Sequence, residues 1–141
     1  MKTERWHPWR DAREREHLTI TFDGPVHARG RHGRGGQIEL HPRMTQAERR
    51  SALAHELVHD ERGIHPVEPT LQAREERTVE ALAARRLIAL DDLVEVLRWT
   101  RHAEEVADEL WVDMPMFLAL VRSLTDEERV WINMRIEERP C

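Results

Sequence analysis

Apolar positions recur in two rhythms along this chain. HLTITF, residues 17–22, alternates apolar and polar and is rich in β-branched residues, which predicts a strand. DGPVHARGRHGRGG, residues 23–36, holds five of the six glycines and predicts turns around a short second strand near residues 26–29. QIEL, residues 37–40, predicts a third strand that Pro42 ends. A short antiparallel β-sheet is therefore expected early in the chain, preceded by a short helix that Pro8 starts.

After residue 44 the period lengthens to that of a helix. Thr45 followed by Glu48 reads as a capping box, and Gly63 as a C-terminal stop. Between them Leu53, Ala54, Leu57 and Val58 supply the apolar face. A proline-bearing loop, residues 65–70, leads to a second helix over about 71–90. Val79, Leu82, Ala83 and Leu87 are expected to point inward from it. Asp91 and Asp92 interrupt that helix and cap a short one through Trp99; another runs from Thr100 or Arg101 to Leu110. Asp113 caps MPMFLALVRSL, where Pro115 is tolerated in the first turn. Thr125 and Glu128 form a second capping box for a last helix to about Glu138. Trp99, Trp111 and Trp131 read as core residues or partner anchors.

Composition narrows the class. A chain of 141 residues fits one domain, and 40% hydrophobic with 35% charged residues suits a water-soluble globular protein. The net charge of −5 argues against broad attraction to nucleic acid. Cys141 is the only cysteine, so no disulfide forms within the chain and a reducing, cytoplasmic setting is expected. No signal peptide or membrane span is read from the sequence.

The chemistry concentrates in ALAHELVHDE, residues 52–61, where His55, Glu56 and His59 form H-E-x-x-H. Residues four apart share a helix face, so two imidazoles can meet one metal ion. Glu56 then lies beside the metal as a general base, and the set reads as a hydrolase site. Nine histidines make a chance match conceivable. Against chance, the motif lies mid-helix among Ala52, Leu53, Ala54, Leu57 and Val58, as a buried catalytic helix requires. Asp60 and Glu61 follow it directly and predict that the helix emerges into solvent there.

A catalytic zinc needs a third protein ligand, and two candidates compete. His65 has the third-histidine spacing of H-E-x-x-H-x-x-G-x-x-H, but Arg62 stands where that pattern turns on glycine, and the glycine comes one residue late at Gly63. The other candidate is a glutamate of REERTVEALAARRLI, residues 74–88. Glu76 shares a face with Val79, Ala83 and Leu87, where a carboxylate is costly unless a metal or partner satisfies it. Glu75 is the weaker choice, and Glu80 is placed to orient a ligand histidine. The bland alternative for this segment is a helix of paired arginines and glutamates.

ERRSALAHELVHDERG followed by EERTVEALAARRLI resembles the ImmA/IrrE family of small zinc metallopeptidases. There, H-E-x-x-H on a capped helix is followed by a glutamate in an E-x-x-A-[DN]-x-x-A-A context. Glu76, Val79, Glu80, Ala83 and Ala84 stand at those positions, with valine for alanine and glutamate for Asp or Asn. The resemblance covers residues 37–90 well and 18–36 loosely. It implies Zn2+ held by His55, His59 and Glu76, with Glu56 as catalytic base, in a gluzincin-like site. It also implies a protein substrate, a helix-turn-helix repressor of a phage or mobile element.

The expected fold class is α+β: a minimal zincin-like domain over 1–141, with a catalytic core over 1–90 and a helical subdomain over 91–141. The expected function is a zinc-dependent endopeptidase acting on a protein regulator. A metal-containing antirepressor that sequesters its target without cutting it is the alternative. A DNA-binding regulator using the helix–turn–helix rhythm of residues 104–124 is a third reading. Its would-be recognition helix opens on Met114, Pro115, Met116 and Phe117, whereas base edges are read by polar side chains. Specific nucleic-acid binding is therefore not expected.

Overall fold

The structure, a computed structural model, describes residues 5–23, 30–32 and 36–138. It is α+β and mostly helical. Helix α1 (Pro8–Glu14) is followed by strands β1 (Thr19–Thr21), β2 (Gly30–His32) and β3 (Gln37–Leu40). Six more helices complete the described chain: α2 (Gln46–Arg62), α3 (Pro69–Leu87), α4 (Leu90–Leu97), α5 (Ala103–Glu109), α6 (Met114–Ser123) and α7 (Asp126–Glu137). Among the described residues no helix is long and apolar enough to cross a membrane.

The sheet departs from the antiparallel expectation. Its order is β1-β3-β2, with β3 central. β3 pairs parallel to β1, Ile20 opposite Ile38, and antiparallel to β2, Arg31 opposite Glu39. The physical reason is the length of chain between β1 and β3. Parallel neighbours need a connection of about a dozen residues or more, and residues 22–36 provide it with β2 inside. The strand expected near 26–29 lies outside the described residues. Gly36 is positive in φ, and a Cβ there would come 2.3 Å from the carbonyl oxygen of His17. Only glycine fits this entry into β3.

Helix α2 is the centre of the molecule. Thr45 and Glu48 close the capping box reciprocally, and Gly63 ends the helix in the left-handed conformation. Its i,i+4 pairs form adjacent stripes. Leu53 and Leu57 pack with Ile38 and Leu40 of β3 and Ala12 of α1. Ala54 and Val58 pack with Val79, Ala83 and Leu87 of α3 and with the C-terminal helices. All four α2 residues are fully buried, which stabilises by about 1.5–3 kcal/mol for each Leu or Val side chain. The next stripe carries His55 and His59.

One inward expectation fails. Leu82 is 36% exposed because it lies beyond the edge of the Val79–Ala83–Leu87 stripe. Trp99 and Trp111 are exposed at 57% and 60%, which removes the core half of their reading and leaves the partner-anchor half. As expected, α2 reaches the surface after His59, with Asp60 half-buried and Glu61 exposed, but the charges there are paired. Arg15 from beyond α1 donates to Asp60 at 3.1 Å and to the Leu57 carbonyl at 3.0 Å, and His17 meets Asp60 at 2.9 Å. Arg86 of α3 pairs with Glu61. The charges after the motif anchor the first residues and α3 to the end of α2.

The α5–α6 turn is pinned onto the start of α2. Arg50 donates to the carbonyl of Trp111 at 2.9 Å and of Leu110 at 3.3 Å. Buried Ser51 accepts the Asp113 amide at 3.1 Å, and the Asp113 side chain in turn caps α6 through the Met116 amide. These bonds place α6 beside the histidine-bearing stripe.

Candidate metal centre

Helix geometry brings the two motif histidines together, their Nε2 atoms 3.1 Å apart. Packing of α3 on α2 through Val79 and Ala83 delivers Glu76 to the same point, since it lies one turn before Val79. The Glu76 carboxylate bridges the pair: Oε2 is 3.0 Å from His55 Nε2 and Oε1 is 2.7 Å from His59 Nε2. Among the described residues this is the group of three whose ligand atoms could hold a metal ion.

The neighbouring candidates are engaged differently. Glu75 turns to Arg62 in a two-point contact of 2.6 and 2.8 Å. The arginine at the position where a third-histidine motif needs glycine thus takes up the glutamate beside Glu76. The His65 ring lies nearly parallel to that of His59 with centroids 6.3 Å apart. Glu80 faces Arg122 of α6 at 4.0 Å.

Charge follows position. Burial disfavours the charged form of His55, but the Glu76 hydrogen bond and the carboxylates of Glu56, Glu76 and Glu80 outweigh it and raise its pKa. Burial and the nearby His55 hold His59 below the usual histidine value. The hydrogen bond from His55 holds Glu76 below the usual carboxylate range. Glu56 is 4% exposed, and burial pushes its carboxyl up to about 7.

The residues fit zinc in donor chemistry and spacing. Two imidazole nitrogens and a carboxylate oxygen suit it. A tetrahedral ion with bonds of about 2.0–2.1 Å holds its ligand atoms about 3.3 Å apart, and the separations of 2.7–3.1 Å need only tenths of an ångström of opening. One feature is less complete: His59 Nδ1 is buried without a hydrogen-bond partner. Ligand histidines usually donate from that second nitrogen.

A cavity of about 200 Å³ opens beside the centre, with His55 and Glu56 among its lining residues. Its walls come from Ser51 and Ala52 of α2, Glu80 of α3, and Asp113, Pro115, Met116, Ala119 and Arg122 at and along α6. The contribution of α6 was not read from the sequence, because it depends on a contact across more than sixty residues. Ser51 had a readable signal: Ser51, His55 and His59 are each four apart and share one stripe.

No protein-family model, no characterised protein and no solved structure matches this chain. The likeness to the ImmA/IrrE family therefore rests on the motif residues and their spacing.

Proposed function

We propose that the chain is a zinc-dependent endopeptidase of zincin-like layout whose substrate is a protein regulator. The observation that carries this reading is the convergence of His55, His59 and Glu76 from two helices, with buried Glu56 lining a cavity together with His55. A structural arginine–glutamate helix would give Glu76 an arginine partner; here Glu75 has one and Glu76 faces the histidines.

His55, His59 and Glu76 would hold the zinc, leaving room for water or substrate. When bound, the ion supplies Lewis acidity, lowering the pKa of water and polarising a carbonyl oxygen. Glu56 takes a proton from the attacking water and returns it to the leaving amine. Its burial keeps the carboxyl basic enough for both roles. The cavity between α2 and α6 holds the substrate against this centre, which serves positioning. The repressor as substrate follows from the family resemblance alone. Met116 and Phe117 of α6 are spent on the core, which favours a packing role for that helix over DNA reading.

Glu56→Gln tests the mechanism. Cleavage should fall by about 10²–10⁴-fold, the contribution of a general base, while zinc stays bound, since Glu56 is not among the ligands. A variant that cuts normally contradicts the base. A variant that silences its regulator undiminished without cutting identifies a sequestering antirepressor.

A further inference from the structure

We propose that the cavity between α2 and α6 selects one bulky apolar side chain of the substrate, and that Arg122 at its edge selects an acidic residue next to it. This rests on the peptidase reading and specifies its substrate class.

Size sets the first half. An apolar cavity of about 150 Å³ admits a benzene-sized group, so about 200 Å³ has room for one Leu, Met or Phe side chain. The apolar part of its lining is Ala52 on the α2 side and Pro115, Met116 and Ala119 on the α6 side, within a rim that also carries polar groups. His55 and Glu56 line the same space, so a side chain seated there brings its own backbone to the reacting centre.

Charge sets the second half. The Arg122 side chain is 65% exposed, and its ion pair among the described residues is the 4.0 Å approach to Glu80. That distance is too long for a hydrogen bond, and exposed pairs of this kind hold weakly. The Asp113 side chain accepts the Met116 amide. The guanidinium fork is thus open to a carboxylate, which it fits with two parallel bonds.

The test uses the zinc-loaded full chain carrying Glu56→Gln and three probes: N-acetyl-Asp-Leu-Asp-amide, its Gly-centred analogue and its Lys-Leu-Lys analogue. The methyl signal of Met116 is followed by NMR. Asp-Leu-Asp should move it and bind at least about tenfold tighter than either analogue, the scale of a lost apolar contact. Adding Arg122→Glu, a surface change, should reverse the order of the two charged probes. Adding Ala119→Met should erase the preference for Leu over Gly. In parallel, the chain with Glu56 intact is given a mixed peptide library and its cleavage sites are sequenced. Cuts beside apolar–acidic pairs support the assignment. Cuts without that preference, or a probe order unmoved by Arg122→Glu, overturn the pocket while leaving the peptidase standing. A Lys-Leu-Lys preference in the parent also overturns it and gives the anchoring to Glu80. No cleavage, with the probe order as expected, removes the peptidase reading and keeps the pocket as a recognition site.

Discussion

Glu76 stands 3.0 Å from one imidazole and 2.7 Å from the other, so its removal should be felt by both. A partner that merely orients a ligand is worth about 10–100-fold in metal affinity. Glu76→Ala should lower zinc affinity by more than that, and by far more than Glu80→Ala or His65→Ala. Competition with a chromogenic chelator ranks the three variants. Zinc lost in His65→Ala and kept in Glu76→Ala would make the site metzincin-like and end the family reading. At this scale the sequence was informative where chemistry is local. His55, Glu56 and His59 are set by helix spacing, and Glu76 by the face it shares with Val79 and Ala83. Arg122 carries no local sign of a role at the site. Its place at the cavity depends on how Arg50 and Ser51 tether the α5–α6 turn to α2, a contact without a local signature.

Element ends were legible where a side chain caps them, because capping is a local rule. Thr45 with Glu48 and Thr125 with Glu128 both close their boxes, and Asp113 caps α6. Asp91 and Asp92, expected to cap the fourth helix, instead lie inside its first turn, and α4 starts from Ala89 without a side-chain cap. Strand pairing was not legible. Strands of three or four residues carry little pattern, and whether two of them run parallel depends on the connection between them rather than on their own residues. The second box has a consequence for pH. Arg85 grips the Glu128 carboxylate, and with the Thr125 amide it holds that pKa down at about 2. A carboxylate whose folded pKa lies below its unfolded value adds stability above the unfolded pKa, here near 4.5, and loses it as pH falls toward the folded value. The urea midpoint of the parent should therefore exceed that of Glu128→Gln by a constant margin from pH 7 to about pH 5. The margin should then shrink between about 4.5 and 2. A margin that grows on acidification would contradict the Arg85–Glu128 pair.

Across the whole molecule, one helix serves two cores and the candidate metal centre together. α2 buries Leu53 and Leu57 against the sheet, Ala54 and Val58 against the helices, and leaves His55 and His59 on the stripe between α3 and α6. The overall α+β class was readable from the change of period at residue 44, whereas the placement of α6 over α2 emerged only from the fold. A net charge of −5 and the burial of Met116 and Phe117 give the account a further expectation: the full chain should not bind duplex DNA in a sequence-dependent way. Titration against mixed duplexes at moderate salt checks this; micromolar, sequence-dependent binding would make the C-terminal helices a targeting device. The central claim is the zinc centre, and zinc-edge X-ray absorption with elemental analysis on the purified full chain tests it most directly. The account predicts about one zinc per chain, bound only by nitrogen and oxygen at about 2.0–2.1 Å, with two imidazoles in the shell and the metal lost in Glu76→Ala. A metal-free chain indifferent to added zinc, or a zinc retained unchanged without Glu76, would contradict it.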